Sequence, residues 1–150
     1  MPLPDAPLIF TDGSKTGCGA YLVHGSTPVT LQFPPASPQV IELHIVIKVF
    51  ELYSESFNLI SDSRYVVNSL AVLEAVGKVS FRSTIGYLLN KLQSLILSSP
   101  FFVHHIRAHT GLPGPLAEGN DLVGKATRAA SAFLIQTPVE LAPEFHSHFM

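Results

Sequence analysis

Apolar residues in the first part of the chain come in short runs bounded by turn chemistry. Leu8 to Phe10, Ala20 to Val23 and Val29 to Phe33 are strand-length and β-prone, and Gly13 to Gly19 and then Gly25, Ser26 and Pro28 separate them. This pattern predicts a three-strand meander with tight connections. Pro34, Pro35 and Pro38 forbid further pairing, and Ser37-Pro38 reads as an N-cap followed by proline at the first helical position. Ile41, Ile45, Val49 and Leu52 then recur at helical spacing, which predicts a helix to about Tyr53 with Glu42 beside its buried stripe, free to face the sheet edge.

Phe57 to Ser61 is a fourth strand by the same criteria. From Ser63 to about Val76 the period lengthens again, with Val66, Val67, Leu70 and Leu73 on one face and Gly77 as a stop. A second helical pattern fills Ser80 to Ser98 through Ile85, Leu88, Leu89, Leu92, Leu95 and Ile96, and Ser98-Ser99-Pro100 ends it. Phe101 to Ile106 supplies a fifth strand. A Gly/Pro-rich loop from His109 to Pro115 leads to a last helix over about Glu118 to Phe133, and from Thr137 the sequence turns irregular. The expected class is α/β, a five-stranded mixed sheet with strands one to three antiparallel and helices flanking it.

Composition narrows what such a fold does. With 150 residues, 47% of them hydrophobic, the chain fills one ordinary core, so one domain is expected over residues 1–136 with an irregular tail at 137–150. Only 13% of residues are charged and the net charge is -2, so any nucleic-acid contact must come from a local patch; Lys15, Arg64, Arg82 and Arg107 are the candidates. The single cysteine, Cys18, excludes an internal disulfide and a cysteine-rich zinc site. The apolar stretches fall short of a bilayer span and Met1-Pro2-Leu3-Pro4-Asp5 lacks a basic leader, so the expectation is a soluble, intracellular protein, cytoplasmic or nuclear, with no membrane partner.

Three acids stand at the ends of apolar runs or beside one: Asp12 in Leu8-Ile9-Phe10-Thr11-Asp12-Gly13-Ser14, Glu42 in Gln39-Val40-Ile41-Glu42-Leu43, and Asp62 in Leu59-Ile60-Ser61-Asp62-Ser63. A single acid after a strand ordinarily caps a turn. Carboxylates at strand ends and on a neighbouring helix can instead converge on a hard divalent cation, which phosphodiester cleavage needs.

The order β-β-β-α-β-α-α-β-α, with acids on the first strand, first helix and fourth strand, resembles the ribonuclease H domain of retroviral polymerases. The local wording is similar too: Thr11-Asp12-Gly13-Ser14, Glu42 preceded by Gln39, Ser61-Asp62-Ser63-Arg64-Tyr65-Val66-Val67, and His105 to Pro115 followed by Glu118-Gly119-Asn120-Asp121. The resemblance spans about residues 7 to 133 and is closest to endogenous elements of the beta-retrovirus-like kind.

That resemblance implies metal-dependent endonucleolytic hydrolysis of the RNA strand of RNA:DNA hybrids with two Mg2+ ions, for which Mn2+ can substitute. Asp12 would bridge both ions, with Glu42 and Asp62 on the ion near the leaving group, and His109 would assist proton transfer or product release from a mobile loop. Gln39 would read the hybrid minor groove, and Ser63 and Tyr65 would contact the DNA-strand backbone. Reverse transcriptase and integrase regions of one polyprotein would be its neighbours, and the tail with His146 and His148 resembles the linker and start of an integrase zinc domain.

Two departures from the family pattern stand out. The last helix of the family carries a fourth carboxylate at the position that is Gly124 here, and Asp121, about 60° around an ideal helix from it, is the nearest substitute as catalytic and metal-binding residue. Ile41 and His44 flank Glu42 where smaller residues are the family's habit. The alternative reading is therefore a catalytically inactive domain of a degenerate endogenous retroviral polymerase, kept for hybrid binding or for interaction.

Overall fold

Alternation along the first strand decides how the layers assemble. In β1 (Leu8–Gly13) the fully buried Ile9 and Phe10 point to opposite faces of the sheet and seed two separate cores. The computed structural model describes residues 3–75, 83–97, 100–106 and 114–136, with side chains as far as residue 132. β1 pairs antiparallel with β2 (Cys18–Val23), which pairs antiparallel with β3 (Val29–Gln32). On its other edge β1 pairs parallel with β4 (Phe57–Ser61), and β4 pairs parallel with β5 (Phe101–His105). The five-stranded sheet thus runs β3-β2-β1-β4-β5, the mixed arrangement expected.

Helices cover both faces. The larger core holds α1 (Pro38–Leu52), α2 (Arg64–Ala75) and α3 (Thr84–Ile96) against Ile9, Phe57 and Leu59. On the opposite face α4 (Pro115–Gln136) buries Val123 against Phe10, Ala20, Leu22 and Ile60. Each such side chain withdrawn from water stabilises the fold by about 1.5–3 kcal/mol before chain entropy is counted.

Close approach sets where these helices sit. A Cβ on Gly119 would collide with the outer ring carbons of Phe10, so α4 can lie this close to β1 only with glycine there. A Cβ on Gly13 would stand 2.9 Å from the backbone nitrogen of Glu42 and 3.0 Å from Cγ2 of Ile41, so this glycine admits α1 against the end of β1.

Several boundaries differ from the sequence expectation. β1 and β2 extend into the predicted turn, leaving Ser14 to Gly17 to close the hairpin through Ser14 N–H to Cys18 O at 2.9 Å, with Gly17 at a φ of 91°. Leu52, assigned to the buried stripe of α1, is 50% exposed, because it is the final residue of the helix. In its place Leu43, Val46, Ile47 and Phe50 are buried: α1 lies between the sheet and α3, and a helix covered on several sides needs more than one apolar stripe. α4 begins at Pro115, not Glu118, since Gly114 at a φ of 133° turns the chain and proline is well suited to open a helix. α3 begins at Thr84, with the Ser83 hydroxyl accepting from Gly86 N–H at 3.0 Å. Gly77, Arg82, Arg107, His109 and the tail with His146 and His148 lie outside the described residues.

Candidate metal centre

The C-terminal ends of the parallel neighbours β1 and β4 open at one edge of the sheet, where ligands of open α/β folds bind. Asp12 follows Leu8 and Phe10 in the alternation and so faces α4, while Asp62 comes directly after β4. Glu42 is carried in from the other layer by α1, whose first turn is fixed by the Ser37 cap to Val40 N–H at 3.4 Å and by contact with Gly13. One carboxylate oxygen from each of Asp12, Glu42 and Asp62 lies within 4.8 Å of the others, and all three side chains are half-buried. The buried Ile41 does not prevent this convergence, because it packs against the bare Cα of Gly13.

Such crowding has an electrostatic signature. Burial, and then the charge of Asp62, push the Asp12 carboxyl up to about 6 despite hydrogen bonds from Thr127 and the Gly13 N–H and the attraction of Arg128. Burial raises Glu42 to about 7, with the charges of Asp12 and Asp62 adding to it and a Ser63 hydrogen bond opposing it. Two raised carboxyls converging with a third are a donor set suited to a hard divalent cation, whose charge relieves both the burial and the mutual repulsion.

Around the acids stands a shell that sequence reasoning missed or assigned differently. Asn120, buried at the start of α4, donates from Nδ2 to Asp62 Oδ2 at 3.3 Å. The single hydroxyl proton of Thr127, also buried, serves either Asp12 or Val123 O, the latter at 3.0 Å. The spacing of Asn120, Val123 and Thr127 at three and four residues was the available signal, since polar residues on the inward stripe of a helix need partners there. Ser63, expected at the DNA backbone, is buried: its hydroxyl bonds Glu42 and caps α2 by accepting from Val66 N–H at 3.2 Å. A hydroxyl so engaged orients a carboxylate and offers little to a phosphate.

The remaining candidates are dispersed. Gln39 is exposed on the first turn of α1, and Tyr65 is partly buried against the larger core. Asp121 is exposed and does not join the three carboxylates, because the residue of that turn aimed at the site is its neighbour Asn120, about 100° around the helix. His44 stacks on Phe33, with ring centroids 4.6 Å apart, and so serves the packing of α1. Lys15 and Arg64 are exposed.

The family model for RNase H matches residues 4–132, which takes in every element from β1 to most of α4. The chain belongs to the RNase H family. Among curated relatives it is 40% identical over 149 residues to the Gag-Pro-Pol polyprotein of squirrel monkey retrovirus, covering 97% of this chain and 8% of that protein. It is 39% identical over 146 residues to the intracisternal A-particle Pol-related polyprotein of mouse intracisternal A-particle MIA14, covering 95% of the chain and 16% of the relative. Against the Gag-Pro-Pol polyprotein of mouse mammary tumor virus (strain BR6) the figures are 38% over 148 residues, 97% and 8%. The chain therefore spans a small fraction of the polyproteins it matches, and its fold is that of a retroviral-type ribonuclease H domain. Among the described residues no helix is long and apolar enough to cross a membrane.

Proposed function

We propose that this chain is the ribonuclease H segment of an endogenous retroviral polymerase polyprotein, with reverse transcriptase and integrase regions as neighbours, and that it hydrolyses the RNA strand of RNA:DNA hybrids. The observation that carries the proposal is the meeting of Asp12, Glu42 and Asp62 within 4.8 Å in a chain of this family. Magnesium, or manganese in its place, supplies Lewis-acid chemistry there when bound: activation of a water molecule and stabilisation of charge on the scissile phosphate. The resemblance implies two ions, and the described carboxylates provide one compact set of ligands.

The chain's own residues prepare that site. Asp12 would be the strand-borne ligand, held by the Gly13 N–H and Thr127. Glu42 is oriented by Ser63, and Asp62 is held by Asn120. Because every one of these supports belongs to a strand end or a helix, the oxygens are positioned before substrate arrives, which spares the reaction the cost of arranging them. Gln39, exposed on the first turn of α1, is assigned by its position in the family motif to the minor groove of a hybrid, where 2′-hydroxyls distinguish RNA from DNA. Tyr65 on α2 and His109 are assigned to the DNA backbone and to proton transfer by their positions in the family motifs, while exposed Asp121 is left with no role in holding the ion.

A labelled RNA:DNA hybrid incubated with the purified chain and Mg2+ or Mn2+ tests the proposal. Cleavage of the RNA strand alone is expected, and Asp12→Asn lowers the rate by about a thousandfold or more. A chain that binds hybrid with either ion present and cuts nothing supports the inactive binding domain in its place.

A further inference from the structure

One cation is already built into the place where the family pattern has its fourth acid. Gly124 is buried in the middle of α4, and a Cβ there would stand 3.2 Å from Nη1 of Arg128 and 3.9 Å from both Cζ and Nη2. The guanidinium therefore lies across the bare backbone of Gly124. Helical geometry explains the pose: side chains lean toward the N-terminus of their helix, so residue 128 covers residue 124, and glycine offers nothing to obstruct it. Arg128 is exposed, and among the described residues no carboxylate closes an ion pair with it. Gly124 follows Asn120 by one turn, and Asn120 bonds Asp62, so the guanidinium lies on the stripe of α4 that reaches the carboxylates. Thr127, the residue before Arg128, is buried with its hydroxyl at Asp12, so this turn of α4 adjoins the carboxylates.

We propose that the Arg128 guanidinium takes over the seat of the second divalent ion, so that the chain binds one metal ion, at Asp12, Glu42 and Asp62, with arginine as its resident second cation. This deepens the metal-centre reading and rests on it. The loss of a carboxylate at Gly124 would otherwise leave a buried edge of the site without its cation and its acid together. A guanidinium is permanently charged, planar and rich in donors, and so suits the region between Asp12 and an incoming phosphate. Unlike a bound ion it cannot polarise a water molecule by coordination, so it compensates charge without activating a nucleophile.

Calorimetric titration with Mn2+, with the far-UV spectrum as a check on folding, separates the possibilities without any activity measurement. The unaltered chain should take up one ion. Arg128→Gln keeps most of the length and removes the charge; it should still bind one ion, roughly fivefold more tightly at low ionic strength, with the difference shrinking as salt is added. Gly124→Asp alone should remain at one ion, because the introduced carboxylate pairs with Arg128 one turn away. Combining the two substitutions removes the competitor and restores the ligand, and this variant should bind two ions. Two ions on the unaltered chain or on Gly124→Asp, or an Arg128→Gln affinity equal to the starting value, would overturn the role of Arg128 while leaving the three-carboxylate site intact. A folded chain that takes up no Mn2+ in any of the four forms would remove the metal-centre reading, and this inference with it.

Discussion

The two walls of the site are built to different standards. On one side Asp12, Glu42 and Asp62 come from β1, α1 and the end of β4, and each is fixed by a neighbour that the core cannot spare: Gly13 under α1, Ser63 capping α2, Asn120 against Asp62. On the other side α4 presents Gly124 with an arginine laid over it. The contrast shows which parts of a site a fold protects. A carboxylate whose backbone is a core strand keeps its place as long as the core exists, whereas at position 124 of α4 a flexible side chain from the next turn covers the backbone when no carboxylate is there.

Exchanging the two glycines for alanine exposes this difference most sharply. Gly13→Ala drives a methyl group against the backbone of Glu42 at 2.9 Å, where nothing can swing aside, so a loss of about 2–3 kcal/mol in stability is expected with at least a tenfold weaker Mn2+ affinity. Gly124→Ala meets only the end of Arg128, a flexible side chain that can move off. It should stabilise the chain by up to about 1 kcal/mol, because alanine is the better helix former. Chemical denaturation of both variants checks the pair, and equal effects would break the comparison.

Electrostatics gives a second, smaller separation. The acidic wall contains two carboxyls raised in the folded state, Asp12 to about 6 and Glu42 to about 7, from ordinary values of 3.8 and 4.5. A raised acid holds its proton longer when folded than when unfolded, so its favourable contribution is complete below pH about 4 and is lost as pH climbs through the folded value. Without metal the chain should therefore lose roughly 2 kcal/mol of stability between pH 4.5 and pH 7.5, after allowance for solvent screening of half-exposed groups. Magnesium should restore most of it at pH 7.5 and little at pH 4.5. Thermal melts at the two values, with and without Mg2+, measure this directly, and a metal-independent profile would argue against a shared ion.

The smallest effect is expected at Asp121. Exposed and outside the carboxylate group, it should change metal affinity less than twofold when replaced by asparagine. A tenfold loss would mean that α4 supplies an acid after all.

Most of the scaffold was legible from spacing. The change from short β-prone runs to helical periodicity located the nine elements of the described residues, and the Ser37-Pro38 pair marked the start of α1. What the pattern hid was packing that depends on layers, such as the burial of Leu43 and Ile47 where one stripe was expected. In the site, the three principal acids could be found because each follows or flanks an apolar run. Thr127, Asn120 and Ser63 could not be assigned in the same way, since their partners come from distant segments: Asn120 and Asp62 are 58 residues apart. Nothing in the spacing singled out Arg128, and only the bare Gly124 beneath it gives its position meaning.

Anomalous scattering from a crystal of the chain soaked in Mn2+ bears most directly on the proposed chemistry. The account predicts a manganese peak among the carboxylate oxygens of Asp12, Glu42 and Asp62, absent from an Asp12→Asn crystal. Anomalous density elsewhere, with those three side chains turned away from one another, would contradict it.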